Sequence, residues 1–178
     1  TLKKKNVYEK NVDKTPGFAT FLKTITHCNN AHYDSATKKH LGDPTETALL
    51  DFSAKTIKIK VLAKKEPRIH EAPFDSATKR MITTQKVGNK KIAYMKGAPE
   101  VVIKKCDRVF WRGKTVTLTT QQKQLVVKYY EKLASRGERV LGLAFKDTQK
   151  DKVEEKHFIF VGLVGMIDPP RKEVAQAV

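Results

Sequence analysis

The chain has 178 residues, 39% of them apolar, and its 36 Lys and Arg outnumber 19 Asp and Glu to give a formal net charge of +17. This length and composition suit one compact domain, and no apolar run approaches the ~20 residues of a membrane-spanning helix. The basic first ten residues lack the apolar core of a signal peptide, and Cys28 and Cys106 lack CxxC spacing, so the sequence predicts a reducing, cytosolic setting.

Two helices are the first predicted elements. Apolar residues at helical spacing after Pro16-Gly17 predict an amphipathic helix over residues 18–30. A second helix is predicted at "GDPTETALL", where Asp43 can cap the helix and Pro44 takes the first helical position. Glu46 then lies three residues after the cap.

From residue 68 the apolar period becomes that of strands. Residues 68–74, 80–87 and 91–97 are predicted strands, and a tight turn at Gly88-Asn89 joins the last two. Pro99 can open a short helix that runs to about residue 105. A further hairpin is predicted over residues 107–118, around Arg112-Gly113.

A longer amphipathic helix is predicted within "TTQQKQLVVKYYEKLASRG", with Thr119 or Thr120 as its cap and Gly137 at its left-handed C-terminal position. Its predicted apolar face consists of Leu125, Val126, Tyr129, Tyr130 and Leu133. Strands over residues 139–146 and 157–167 complete the pattern. Because strands and helices do not alternate regularly, the sequence predicts an α+β domain with a mainly antiparallel twisted sheet flanked by helices.

The common phosphate-binding patterns are absent, since the chain has neither GxxxxGK[ST] nor GxGxxG. In "PFDSATKRM", however, Phe74 could stack on a purine base while Lys79 and Arg80 attract its phosphates. A core phenylalanine followed by a solvated turn is the alternative. In "GDPTE", Glu46 could accept a hydrogen bond from the exocyclic amine of adenine, where guanine has a carbonyl; a capping-box glutamate is the alternative.

Two further segments have residues suited to a nucleotide. In "MKGAPE", Gly97 permits close approach of a ligand to the backbone and Lys96 can reach phosphate. An ordinary strand-to-helix turn is the alternative. In "ASRGERVLGLA", Arg139 could contact phosphate and Leu141 could wall an apolar pocket, with a surface arginine as the alternative. The five histidines show no metal or triad spacing.

Taken in order, "GDPTETALL", "PFDSATKRM", "MKGAPE", "GERVLGLA" and "GLVGMIDPPR" resemble the nucleotide-binding domain of P-type ATPases, the cation pumps that form an aspartyl-phosphate. The resemblance covers about residues 41–171 and is closer to the calcium-pump branch, with its sodium- and magnesium-pump relatives, than to the proton pumps. It implies the fold of that domain, ATP with bound Mg²⁺ as its ligand, and a cytoplasmic position within an integral membrane protein. It implies no catalytic residue and no metal ligand in this chain.

The resemblance also implies which residues contact ATP. These are Glu46, Phe74, Lys79, Lys96, Gly97, Arg139 and Leu141, with Thr45 and Ser76 as further members. Phe74 would stack on adenine, Glu46 would contact its amino group, and Lys96 with Gly97 would line the inner end of the pocket. Calcium pumps commonly carry an arginine at the position of Ser76, so one phosphate contact is in doubt, and Arg80 is the candidate to replace it.

The family's DKTGT and TGDN-type motifs and its membrane helices are absent, so the chain is expected to be an excised domain. The expected parts are a linker over residues 1–14, the nucleotide-binding domain over 15–166, and a hinge over 167–178 that leads back to the phosphorylation domain. The hinge residues are Asp168, Pro169, Pro170 and Arg171.

The expected partners are ATP and the phosphorylation and actuator domains of the parent chain. The isolated domain is expected to be a monomer that binds but does not hydrolyse ATP, with no nucleic-acid partner and no membrane insertion of its own. Two alternatives remain open. The net charge alone would suit a nucleic-acid-binding module, and the same fold could serve regulation through protein contacts.

Overall fold

The computed structural model describes residues 17–167. The predicted linker over residues 1–14 and the predicted hinge residues 168–171 therefore lie outside the described residues. The helices are α1 (Phe18–His27), α2 (Pro44–Ala54), α3 (Ile59–Lys65), α4 (Pro99–Lys104) and α5 (Thr120–Ala134). Among the described residues, no helix is both long enough and apolar enough to cross a membrane.

Within residues 17–167, nine strands form two sheets. They are β1 (His32–Asp34), β2 (Lys39–Leu41), β3 (Arg68–Asp75), β4 (Arg80–Val87), β5 (Lys90–Gly97), β6 (Cys106–Trp111), β7 (Lys114–Thr117), β8 (Arg139–Thr148) and β9 (Phe158–Met166). β1 and β2 form a separate hairpin, and the other seven form one sheet in the order β3-β4-β5-β8-β9-β6-β7. Every neighbouring pair is antiparallel except β6 and β9, which run parallel. The prediction of an α+β fold with a mainly antiparallel sheet is confirmed.

Helices cover both faces of the large sheet, because successive strand residues point to opposite sides and both sides are apolar. On one side, called the front face, Leu22 and Ile25 of α1 and Leu49 of α2 pack with Leu143 of β8. On the other side, called the back face, α4 and α5 pack over a larger cluster. Its most buried members include Ala93, Met95, Val102, Ala144 and Phe158.

The predicted turns and caps form where their residue types favour them. Gly88 in the β4–β5 turn and Arg112-Gly113 in the β6–β7 turn have φ of 59°, 48° and 82°, the left-handed values that two-residue hairpins require. The hydroxyl oxygen of Thr119 accepts a hydrogen bond from the amide of Gln122, whose side chain in turn accepts one from the amide of Thr119. This capping box identifies Thr119 as the α5 cap.

Some expectations were wrong. Helix α1 ends at His27 and not at residue 30, because Cys28 leaves the helical region at φ −84° and ψ 64°. The face of α5 is also shifted from the predicted one. Leu125 and Tyr129 are 54% and 61% exposed, whereas Val126 and Val127 pack against the back-face cluster.

We expect Thr119→Ala to lower the free energy of unfolding by about 1 kcal/mol, because it removes the side-chain half of the capping box. Urea unfolding followed by circular dichroism would measure the change. Thr120→Ala is the matched control, since Thr120 occupies the first helical position, where alanine is well tolerated. Equal losses in the two variants would contradict the assignment of the cap.

Candidate functional site

A buried ion pair lies at the centre of the predicted site. Lys96 of β5 is only 5% exposed and lies across from Met81 on β4 and Leu143 on β8, on the front face of the sheet. Its Nζ is 2.5 Å from Oε1 of Glu46. The other carboxylate oxygen of Glu46 accepts a hydrogen bond from the amide of Asn30 at 3.0 Å. Lys96 therefore precedes the strand-to-helix turn and also forms an ion pair with Glu46.

The start of α2 places Glu46 over the sheet. The Asp43 carboxylate accepts hydrogen bonds from the amides of Thr45 and Glu46 at 2.8 and 3.3 Å, and Pro44 occupies the first turn. Both Glu46 oxygens point away from this cap and towards Asn30 and Lys96, so Glu46 is not acting as a capping-box residue. Each carboxylate oxygen has two lone pairs, so the pair leaves acceptor capacity for a ligand.

A second polar cluster, which the sequence did not reveal, ties β3 to the end of α1. One terminal nitrogen of Arg68 donates to Oδ1 of Asn30 at 2.5 Å and to Oε2 of Glu71 at 2.7 Å. The other donates to the carbonyls of His27 and Asn29 at 2.9 and 2.5 Å. Burial would raise the pKa of Glu71, but hydrogen bonds from Asn30 and Arg68 hold it below its usual value. Glu71 is thus a second ionised carboxylate near Lys96.

Phe74 is not a core residue, because its side chain is 60% exposed. The β3–β4 pairing is irregular between Ala72 and Asp75, so Phe74 lies in a segment that has left the regular ladder. An exposed aromatic ring can offer a planar apolar face to a ligand. This arrangement excludes the alternative of a core phenylalanine.

The turn after Phe74 packs directly on Gly97. The Asp75 carboxylate accepts hydrogen bonds from the amide and hydroxyl of Thr78 at 2.8 and 3.1 Å, and Ser76 is exposed within this turn. Lys79 has a left-handed φ of 50°, and its carbonyl accepts the amide of Ala98 at 2.9 Å. Because Gly97 has no side chain, the backbone of Lys79 and Arg80 can lie directly against its Cα.

Arg80, the candidate for the phosphate contact in doubt at Ser76, points away from Lys96. It alternates with the front-face residue Met81 and therefore points to the back face. There its Nε donates to Oε2 of Glu155 at 2.7 Å and its Nη2 contacts the other oxygen of that carboxylate. The guanidinium is thus committed to the opposite side of the sheet from Lys96.

Arg139 and Thr45 meet at the edge of the site. A terminal nitrogen of Arg139 donates to the hydroxyl of Thr45 at 2.6 Å. Burial would raise the pKa of Asp43, but hydrogen bonds from Thr45 and the nearby charge of Arg139 hold it below its usual value. Leu141 is half-buried in the front-face apolar cluster with helices α1 and α2. It therefore has a packing role within the domain.

Strand register brings the predicted residues to one end of the sheet. Arg80 pairs with Gly97, which pairs with Gly142 on the next strand. Phe74 and Asp75 end β3 at the same level, because Asp75 pairs with Arg80. The residues that this end of the sheet brings together are Glu46, Phe74, Ser76, Lys79, Lys96, Gly97 and Leu141, with Thr45 and Arg139 beside them.

Two cavities lie elsewhere. One, of about 190 Å³, is lined by residues that include His27, Glu66 and Gln85. The other, of about 530 Å³, is lined by residues of α4 and α5 that include Ile103 and Val127. None of the predicted ATP-contacting residues lines either cavity. In the described part of the chain, no cluster of three or more His, Cys, Asp or Glu could hold a metal ion.

The fold agrees with a family assignment. A family model described as "P-type ATPase, cytoplasmic domain N" matches residues 17–173. The chain therefore belongs to the family of P-type ATPase cytoplasmic N domains, as its motifs predicted.

Its relatives are cation-transporting ATPases. The chain is 35% identical over 163 residues to calcium-transporting ATPase 1 of Lactococcus lactis, a match that covers 88% of the chain. It is 31% identical over 186 residues to the human potassium-transporting ATPase alpha chain 2, covering 90% of the chain. The similarity to calcium-transporting ATPases confirms the prediction of a calcium-pump-like N domain. Each match covers only 18% of the relative's length.

We expect Gly97→Ala to destabilise the domain by about 1–3 kcal/mol, because a methyl group there overpacks a backbone contact. Its Cβ would lie 2.8 Å from Cα of Arg80 and closer still to the carbonyl oxygen of Lys79. Urea unfolding would measure the loss, and amide NMR shifts should change at Lys79 and Ala98. Gly137→Ala meets no atom within 4 Å but strains a backbone with φ of 75°, so it should also cost stability and yet leave those shifts unchanged. A Gly97→Ala variant with unaltered shifts would show that this contact is not tight.

The histidine beside the smaller cavity should make stability depend on pH. Burial lowers the pKa of His27 below its ordinary 6.5. The hydrogen bond to Glu66 at 2.7 Å raises this pKa, but by less than burial lowers it. The charges of Lys23 and Arg68 lower it further. The unfolded chain therefore takes up this proton more readily than the folded chain. The resulting stability is present above pH 6.5 and is lost as the pH falls through the folded pKa.

We accordingly expect the free energy of unfolding to decrease between pH 7.5 and 5.5, and His27→Gln to flatten that decrease. Urea titrations at several pH values would measure both slopes. His32→Gln, which alters an exposed histidine, serves as the control and should keep the wild-type slope. A His27→Gln slope equal to that of the wild type would refute the assignment.

Proposed function

We propose that this domain binds the adenine end of ATP and presents the γ-phosphate to an aspartate in another domain of its parent protein. The observation that carries the proposal is the grouping of an exposed Phe74 ring, the Glu46–Lys96 pair and the basic residues Lys79 and Arg139 at one end of the sheet. An aromatic surface, a hydrogen-bond acceptor and cations are the parts that an adenine nucleotide needs.

At the base end, Phe74 stacks on the adenine ring and Glu46 accepts a hydrogen bond from the amino group. Lys96 holds the Glu46 carboxylate in place through the ion pair, and the carboxylate oxygens are the acceptors. Guanine has a carbonyl oxygen where adenine has that amino group, and two acceptors would then face each other. The site therefore favours ATP over GTP.

At the phosphate end, Lys79 lies along the nucleotide and Arg139 lies near the phosphates, with Thr45 and Ser76 at the margin. Gly97 lines the inner end of the pocket, and Leu141 supports the base or ribose. Mg²⁺ arrives bound to the phosphates of the nucleotide. The commitment of Arg80 to Glu155 leaves no arginine from the Phe74–Arg80 segment for the phosphates, which favours weak binding by the domain alone.

We propose that the parent protein is an ATP-driven cation translocase. Because relatives of this chain are named calcium-transporting ATPases, calcium is the first cation to test. This domain would lie on the cytoplasmic side and be joined through a hinge at residues 168–171 to the phosphorylation domain, with the actuator domain as a further partner. Its contribution to phosphoryl transfer is positioning. Alone it is a monomer that binds ATP without hydrolysing it.

We expect ATP and AMP, but not GTP, to shift the amide NMR signals of Glu46, Phe74 and Lys96 in the labelled 178-residue chain. Phe74→Ala should weaken ATP binding about 5- to 150-fold, since stacking of one base contributes ~1–3 kcal/mol. Trp111→Ala is the matched control, because Trp111 is also an exposed aromatic, 61% exposed, but lies on the strand next to the opposite edge of the sheet. It should bind ATP as the wild type does.

Equal responses to ATP and GTP, or shifts remote from Phe74, Glu46 and Lys96, would contradict the proposal. Strong, salt-sensitive gel shifts with DNA or RNA that persist in Phe74→Ala would instead favour polyanion binding driven by net charge. A folded chain that responds to no nucleotide would favour a regulatory role through protein contacts.

A further inference from the structure

The loop between β8 and β9 lies on the back face, behind the candidate site. Thr84 donates a hydrogen bond to the carbonyl of Asp151 at 2.7 Å, and Val153 packs against the back-face apolar cluster. Within this loop, Glu155 faces Arg80 and Lys105. The loop is therefore attached to the reverse side of the strands that carry the predicted ATP contacts.

Glu155 binds Arg80 through both carboxylate oxygens. Nε of Arg80 donates to Oε2 at 2.7 Å and Nη2 contacts Oε1, a two-pronged geometry that fixes the guanidinium plane. Lys105 adds its Nζ at 2.8 Å from Oε2. The Arg80 side chain is 12% exposed and the Glu155 side chain 30%, so water reaches this pair mainly from the carboxylate side.

The same guanidinium reaches the turn that follows Phe74. Nη1 of Arg80 donates to the hydroxyl of Thr78 at 3.1 Å, and Thr78 is bonded to the carboxylate of Asp75. Arg80 also follows directly on Lys79, whose backbone packs against Gly97. A continuous set of contacts thus runs from Glu155 through Arg80 to the turn formed by residues 75–79.

We propose that Glu155 is a positioning residue for nucleotide binding, which it influences through Arg80 without contacting the nucleotide. By fixing Arg80, it fixes the turn over residues 75–79 and so the placement of Phe74 and Lys79, which lie at the two ends of that turn. This inference rests on the proposed function, because it concerns the affinity of that same site.

The loop has other attachments that do not depend on Glu155. Nζ of Lys146 donates to the carbonyls of Glu154 and Lys156 at 2.5 and 2.8 Å, and Lys91 pairs with Asp151 at 2.8 Å. Glu155→Gln therefore removes the charge that holds Arg80 while the loop stays in place. Asp151→Asn is the matched control, since it weakens an ion pair of the same loop away from the turn.

We expect Glu155→Gln to weaken ATP binding about 3- to 10-fold, measured by NMR titration of the 178-residue chain. Without nucleotide, the amide signals of Thr78 and Lys79 should already be shifted. Arg80→Lys, which keeps the charge but loses the two-pronged contact, should have a similar effect. The double variant should be no weaker than either single variant, because both changes break one interaction. Asp151→Asn should bind ATP as the wild type does.

A merely structural role for Glu155 predicts a different pattern. With such a role, the ATP affinity of each variant would follow its thermal stability. An Asp151→Asn variant as destabilised as Glu155→Gln would then lose as much ATP affinity, and this result would overturn the inference. Wild-type affinity in Glu155→Gln would overturn it while leaving the proposed function intact. A wild-type chain without any ATP-dependent shift would overturn both the proposed function and this inference.

Discussion

The buried ammonium group of Lys96 is the constraint on which the surrounding structure depends. Taking such an ion out of water costs several kcal/mol unless a partner compensates, and removing one partner of a buried pair costs about 3–5 kcal/mol. Here the partner is Glu46, on a different element. The start of α2 is therefore fixed over β5, and the amide of Asn30 ties the segment that follows α1 to the same carboxylate. One ion pair thereby aligns two helices with the sheet at the end that carries the candidate site.

This end of the sheet is organised from both sides. On the front face, Arg68 ties the end of α1 to Glu71 and hence to β3, the strand that ends in Phe74. On the back face, Arg80 is tied to the β8–β9 loop. Two neighbouring positions, Arg80 and Met81, thus serve opposite faces because side-chain direction alternates along a strand. The proposed binding surface is a product of both sets of contacts.

The sequence predicted the elements that have strong local signals and missed those that do not. Asp43-Pro44 and Gly88-Asn89 each specify a backbone conformation within four residues, so α2 and the β4–β5 hairpin could be predicted. Helix α3 begins without a side-chain cap, and β1 and β2 have only three residues each. None of these three elements therefore has a distinctive sequence pattern. The link between Arg68 and Asn30 spans 38 residues, and no local signal encodes such a contact.

The strand order has a consequence for how the chain folds. Strands β3, β4 and β5 can pair as soon as they are made, and so can β6 and β7, but the two groups meet only through β8 and β9. β8 and β9 lie in the middle of the sheet but follow its other five strands in the sequence, so they are synthesised after them. Until they are in place, β5 and β6 each have one unpaired edge, which favours association with other chains. The closing step also joins residues far apart in sequence, which is characteristic of slow folding.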